Sequence, residues 1–207
     1  GVTLALTVLS FSFGLVGACL LAFSQLGRIR ILRWASQLYI AFFRGTPMLV
    51  QLFLIYFGLP ALCRDLGLPF SLDRFVAAVL ALSLNGAAYM AETLRGGIES
   101  IEASQWDAAD ALAMNPIERM RFVIFPQALR RALPPLANEG ITLIKDTSLA
   151  AVIGFNELFR EGQLMVATSY RAFEIYGAVA IAYLLLTAAT SALFQRLEQR
   201  LDPGRQA

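Results

Sequence analysis

QWDAADALAMNPIERMRFVIFPQALRRALPP, residues Gln105–Pro135, places three acids and four arginines between long apolar runs. It is too charged to cross a hydrocarbon core, where one ionised side chain costs about 3 kcal/mol. On both sides of it the chain approaches the roughly 20 consecutive apolar residues that a membrane-spanning helix needs. The 207 residues are 57% hydrophobic and only 15% charged, with a mean hydropathy of +0.62, outside the usual composition of a soluble domain. These features predict an all-α membrane protein, a single transmembrane domain over residues 1–207. Five spans are expected at about 2–25, 36–60, 73–95, 132–156 and 172–195, with the charged stretch inside the longest loop, 96–131.

Arginines orient the spans, because short cytoplasmic loops are enriched in Lys and Arg. Arg28, Arg30 and Arg33 follow the first span, Arg119, Arg121, Arg130 and Arg131 lie in the long loop, and Arg196, Arg200 and Arg205 lie in the tail. The other two loops hold Arg64, Arg74, Arg160 and Arg171 beside Asp65, Asp73, Glu157, Glu161 and Glu174. The N-terminus is therefore expected outside and the C-terminus in the cytoplasm. Within the loop, Trp106, Ala109, Ala113, Ile117 and Met120 fall near one helical face. Asn115-Pro116 reads as a cap with Pro in the first turn of a second short helix. Pro126 and Pro134-Pro135 are expected to interrupt or restart the chain as it re-enters the membrane. The opening run, residues 1–23, is read as a spanning helix and not a signal peptide, since arginines follow it in place of a small-residue cleavage site.

Composition also excludes chemistry. The chain has no His and two differently placed Cys, Cys19 and Cys63. A His-dependent metal site, a Ser-His-Asp triad and a Cys-His dyad are ruled out, and no metal site, cofactor or disulfide is expected. A net charge of +2 is too small to imply a nucleic-acid partner. No G-x-x-x-x-G-K-[ST] run is present to cradle ATP phosphates. The polar residues of the spans are the informative ones: Asn85, Tyr89 and Glu92 in the third, Asn138, Glu139, Lys145 and Asp146 in the fourth. Lys145 is the only lysine among 17 basic residues. Lys145-Asp146-Thr147-Ser148 reads as a helix break whose hydroxyls recap freed backbone groups, with Glu92 or Glu139 as charge partners. Arg44-Gly45-Thr46-Pro47 would loosen the second span, with Arg44 paired to an acid or reaching the interface. An alternative is an intramembrane enzyme using Lys145 as base with Ser148 or Asp146.

DAADALAMNPIERMRFVIFPQALRRALPPLANEGITLIKDTSLAAVIGFNELF, residues 107–159, resembles the cytoplasmic loop and following helix of the permeases of polar amino-acid ABC importers. Asp107-Ala108-Ala109 stands for that family's Glu-Ala-Ala, Ala113 for its usual Gly, and Val123-Ile124-Phe125-Pro126 for its apolar-x-apolar-Pro ending. FFRGTPMLVQLFLIYFGLP (42–60) and SLNGAAYMAETLRGGIESI (83–101) resemble its second and third spans. The resemblance implies the five-helix type I importer permease fold in a bacterial inner membrane, with a coupling-helix loop between spans three and four. It implies two separate ATP-binding subunits that carry ATP and Mg and grip the loop through Asp107, Ala108, Ala109, Ala113 and Pro126. It further implies a second permease subunit and an extracytoplasmic amino-acid-binding protein. The expected substrate path is Lys145, Asp146, Thr147 and Ser148, facing Gln51, Asn85, Tyr89 and Glu92, where Lys145 and Asp146 would hold the two charged ends of an amino acid. Residues 82–109 look most similar to the cystine or cysteine branch, with glutamine, glutamate, histidine and arginine importers close behind. Alanine at position 113 would be strained if the turn there needs a positive φ.

Overall fold

A computed structural model of the chain describes residues 1–27 and 29–201; Arg28, Arg205 and the side chain of Arg200 lie outside the described residues. Eight helices follow one another among them. They are α1 (Val2–Leu26), α2 (Arg30–Gly45), α3 (Met48–Asp65, with a wide π turn at Leu54–Gly58) and α4 (Arg74–Glu99). Then come α5 (Ala103–Ala111), α6 (residues 116–146), α7 (Leu158–Ser169) and α8 (Ala172–Leu201). Four stretches are long and apolar enough to cross a membrane: α1, α3, α4 and residues Ala172–Arg196 of α8.

The helix α4 is the hub. It packs on α1, α2, α3 and α6 through small residues, Ala77, Ala78, Ala81, Ala87, Ala88 and Ala91, all buried, which let backbones approach closely where lipid supplies no hydrophobic drive between helices. Gly14 and Gly97 mark crossings at which a Cβ would meet the backbone of the neighbouring helix. A Cβ at Gly14 would lie 3.2 Å from the Ser83 carbonyl, and one at Gly97 only 2.9 Å from the Ala128 carbonyl on α6.

Two expected spans and one expected loop are redrawn. The second, 36–60, is two helices, because Pro47 cannot donate to the helix and drives Thr46 to an extended conformation (φ −120°, ψ 149°). The 16 residues of α2 cover ~24 Å, and they carry Arg30, Arg33, Gln37 and Arg44 on a helix whose Trp34, Leu38 and Phe42 are exposed. The fourth, 132–156, starts far earlier and stops sooner. Pro126 does not interrupt it; the chain widens to π geometry over Arg119–Ile124 just before that proline, which relieves the clash of its ring with the preceding turn. Pro134 and Pro135 lie inside the helix, and its α portion runs unbroken from Phe125 to Asp146. There it tightens into a 3₁₀ helix, Thr147–Ile153, closed by Gly154 in the left-handed region at φ 75°. Residues 158–169, expected as loop, form α7: the Glu157 side chain caps its first turn, accepting from the Phe159 and Arg160 N–H groups at 2.9 and 2.7 Å.

In the charged stretch, α5 and the first turns of α6 fold against each other as a knob. Asn115 and Glu118 form a reciprocal capping box: the Asn115 side chain accepts from the Ile117 and Glu118 N–H groups, and Glu118 accepts from the Asn115 N–H at 3.0 Å. Arg119 pairs with Asp110 and lies 5.1 Å over the Trp106 ring. Arg131 donates to the Ser100 carbonyl. Trp106, Met120 and Val123 pack on Ile98, Ile101, Ile124 and Ala128. The single face expected for residues 106–120 is not one face. Trp106, Ala109 and Met120 point inward, but the chain turns between α5 and α6, so Ile117 is 78% exposed and Ala113 sits in the turn.

Ala113 adopts φ 53°, a left-handed conformation that costs a Cβ-bearing residue about 1 kcal/mol. Ala113→Gly is therefore expected to stabilise the knob by up to about 1 kcal/mol, less what glycine loses in chain entropy. A rise in the thermal unfolding midpoint of the purified variant checks it; a fall counts against the strain.

Candidate substrate cavity and its surroundings

Midway along α4, the break between α2 and α3 is sealed by Gln51. Its side chain is 1% exposed. The amide nitrogen donates to the Phe43 carbonyl (2.8 Å), the Thr46 carbonyl (3.0 Å) and the Thr46 hydroxyl (2.8 Å), and its oxygen accepts from Asn85 Nδ2 at 2.9 Å. Gln51 thus satisfies the carbonyls that α2 loses where Pro47 ends it. Its place is structural, behind the wall and not on it. Gln51→Leu would strand these carbonyls, and an expected loss of about 2 kcal/mol is read from thermal unfolding; an unchanged midpoint contradicts the seal.

Asn85 is shared between that seal and a cavity of about 310 Å³ lined by Thr46, Pro47, Met48, Asn85, Gly86, Tyr89, Glu139, Thr142, Leu143 and Asp146. Glu139, Thr142 and Asp146 fall at i, i+3 and i+7 on α6, which sets them on one helical stripe. Three of the eight residues expected on a common path, Asn85, Tyr89 and Asp146, line this space. Glu139 and Thr142 line it too; the spacing from Asp146 was the signal in the sequence for both.

The adjacent Lys145 is rotated about 100° from Asp146 around the helix. It lines a different cavity, of about 620 Å³, with Ser148, Phe159, Tyr176 and Tyr183. The arrangement in which Lys145 and Asp146 grip the two ends of one molecule is thus not the one adopted: side chains one residue apart on a helix do not share a face. Glu92 is not Lys145's partner either. It accepts from Arg95 at 2.8 and 3.1 Å, from Gln25 at 3.3 Å, and pairs with Arg44 at 3.3 Å, toward the end of α4 that leads to the knob.

The helix break at Lys145–Ser148 is as read. Thr147, fully buried, donates its hydroxyl to the Ile144 carbonyl at 2.6 Å, and Ser148 donates to the Lys145 carbonyl at 2.6 Å. Both hydroxyls recap backbone freed at the change from α to 3₁₀ geometry. Ser148's proton is thereby given to a carbonyl and not to an amine, which leaves the Lys145–Ser148 nucleophile reading without its required hydrogen bond. Below the 3₁₀ turn, the buried carboxylate of Glu157 accepts from Tyr183 Oη at 2.7 Å, tying α7 to α8.

A hub helix, a broken neighbour and a proline-tolerant helix that begins in a knob, with four stretches long and apolar enough to cross a bilayer among the described residues, define a multi-span membrane subunit. The chain belongs to the family of binding-protein-dependent transport system inner membrane components, whose profile matches residues 10–203, among the permeases of polar amino-acid ABC importers. It is similar to the glutamine transport system permease protein GlnP of Escherichia coli (strain K12), 43% identical over 199 residues, 96% of this chain and 89% of that protein. It is likewise similar to the L-cystine transport system permease protein TcyB of Bacillus subtilis (strain 168), 40% identical over 97% of this chain and 83% of that one. A crystal structure of an amino acid ABC transporter with histidines superposes with a TM-score of 0.87 at 37% identity, covering 96% of this chain and 90% of its counterpart. The inward-facing MetNI methionine ABC transporter shares the fold, with a TM-score of 0.76 at 22% identity over 97% of this chain and 93% of that one. A permease of this family is not an enzyme; ATP hydrolysis belongs to a separate subunit.

Proposed function

We propose that the chain is the subunit through which a bacterial cell imports a polar amino acid by alternating access, and that the cavity between α3, α4 and α6 is where the substrate passes. The observation that carries this is the convergence of Asn85, Tyr89, Glu139, Thr142 and Asp146 on one 310 Å³ space beside the middle of α4, since ionisable groups inside a membrane mark transport paths. In this reading α6 is a fifth crossing helix beside α1, α3, α4 and α8, and its polar composition follows from facing that path. The N-terminus lies outside and the C-terminus in the cytoplasm. Cystine and glutamine, for which two relatives are named, head the panel of substrates to be tested.

The knob then meets the ATP-binding subunits, two to a complex, which hold ATP and Mg. Asp107 and Ala108 are exposed, Ala109 is buried beneath them, and Leu112 is 71% exposed beside Ile117. One carboxylate among exposed apolar side chains suits a groove of complementary charge. No residue in the apolar span of α8 is buried, leaving that surface for lipid or for a second permease subunit, identical or not. An extracytoplasmic binding protein delivers substrate to the outer face.

Uptake into proteoliposomes containing the assembled complex tests the path. Asp146→Asn is expected to lower uptake about tenfold, the scale of a lost charge-assisted hydrogen bond, with the ATP-binding subunit still copurifying. Wild-type uptake by this variant would remove the cavity from the path, and loss of the assembled complex would make Asp146 a structural residue.

A further inference from the structure

The proposed cavity is unbalanced for the substrate it is offered. Its lining holds two carboxylates and no cation, and Lys145 serves the other cavity. The ammonium end of an amino acid suits Glu139 and Asp146, but its carboxylate would enter the same negative field. A carboxylate taken out of water without a partner is costly, so a cation must reach it.

Arg44 is placed to do so. Its guanidinium lies 5.5 Å from the centroid of the Tyr89 ring, and Tyr89 lines the cavity. On its other side Arg44 borders a polar space of about 460 Å³ with Gln25, Arg33, Glu92, Arg95 and Glu99. Among the described residues its one ion pair is with Glu92, at 3.3 Å, and its side chain is 45% exposed. Glu92 does not depend on that contact. Arg95 already grips both of its oxygens, Nε to Oε1 at 3.1 Å and Nη2 to Oε2 at 2.8 Å, and Gln25 donates to Oε1. A forked guanidinium–carboxylate pair is the strongest side-chain arrangement of its kind, so Arg44 can leave without stranding a charge, the event that makes breaking such networks expensive. The neighbouring Gly45 has nothing within 4 Å of where a Cβ would stand, and the helix ends there.

We propose that Arg44 binds the substrate's α-carboxylate, exchanging Glu92 for it while the substrate ammonium lies against Glu139 and Asp146. This rests on the cavity being the substrate site. The permease itself, apart from any binding protein, would then select amino acids over the amines that lack the carboxylate.

The test is calorimetric binding to the purified permease–ATPase complex of matched pairs: L-arginine and agmatine, L-histidine and histamine, L-cystine and cystamine, L-glutamine and 4-aminobutanamide. The wild type is expected to favour the amino acid of the pair it binds by about tenfold or more, as one charged hydrogen-bonded contact implies. Arg44→Gln should bring the two members within about twofold by weakening the amino acid alone, and Arg44→Lys should restore part of the preference. Glu92→Gln, which releases Arg44, should tighten the amino acid and leave the amine unchanged. Equal weakening of both members in Arg44→Gln, or no preference in the wild type, overturns the role of Arg44. Failure of the cavity reading has a different signature: Asp146→Asn binds both members as the wild type does, or the wild type binds no pair.

Discussion

Asp107→Arg is expected to leave the protein inserted and folded while lowering uptake by about two orders of magnitude. The side chain is exposed and forms no ion pair among the described residues, so folding has little to lose: surface substitutions away from special features fall within about 0.5 kcal/mol. Docking has more at stake. In the proposed docking, reversing the charge that meets a complementary groove removes an attraction and adds a repulsion, together about 3 kcal/mol for a close pair, or a factor of about 100. Asp110, one turn away, is committed to Arg119 and cannot take over. The measurement is uptake in proteoliposomes, with ATP-binding subunit retained on the purified permease as the second readout. Wild-type uptake at wild-type expression would end the assignment of this loop to coupling. Loss of the folded permease would show that Asp107 supports the knob itself.

Gly97→Leu is expected to destabilise the permease by about 3 kcal/mol or more, enough that little folded protein survives detergent extraction. At this crossing the obstacle is backbone: a Cβ would lie 2.9 Å from the Ala128 carbonyl and 3.1 Å from the Ala132 Cβ. A flexible side chain could move aside, whereas a carbonyl inside α6 moves only with its helix. Gly96, one residue earlier, has nothing within 4 Å of its Cβ position, so Gly96→Leu is the control, expected to extract and unfold as the wild type does. Equal yields and melting temperatures for the two variants would mean that α4 and α6 do not hold this crossing in the membrane.

The sequence was most readable where composition and punctuation act locally. Runs of apolar residues located α1, α4 and α8, and Asn115-Pro116 announced a capped helix start, because bilayer thickness and orphan N–H groups impose themselves on any chain. It was least readable at prolines. Pro47 and Pro126 looked alike, yet one ends a helix and the other lies inside one; the difference is the π turn over Arg119–Ile124, which depends on packing against Ile98 and Ile101 and so on residues far away in sequence. The cavity was half readable. Asn85, Tyr89 and Asp146 stood out as polar groups in apolar surroundings, but Gln51 and Glu92, equally conspicuous, proved to be spoken for by the Thr46 break and by Arg95. Which polar residue is spent on structure is decided by partners brought in from other helices. Lys145 and its neighbour Asp146 are separated by angle: about 100° apart around the helix, they line different cavities.

The helix that carries Asp146 begins in the knob. Residues 116–146 run without an intervening loop, about 46 Å at 1.5 Å per residue, with the knob near one end and Glu139 and Asp146 near the other. Such a rod acts as a beam on a pivot, and the Gly97 crossing, where a Cβ would meet its backbone, is the natural fulcrum. A tilt of about 10° would carry each end of a beam that length through about 4 Å, more than a hydrogen bond's reach. In the proposed transport cycle, a small stroke delivered to the knob therefore moves Asp146 and Glu139 directly, without any relay of side chains between the two ends.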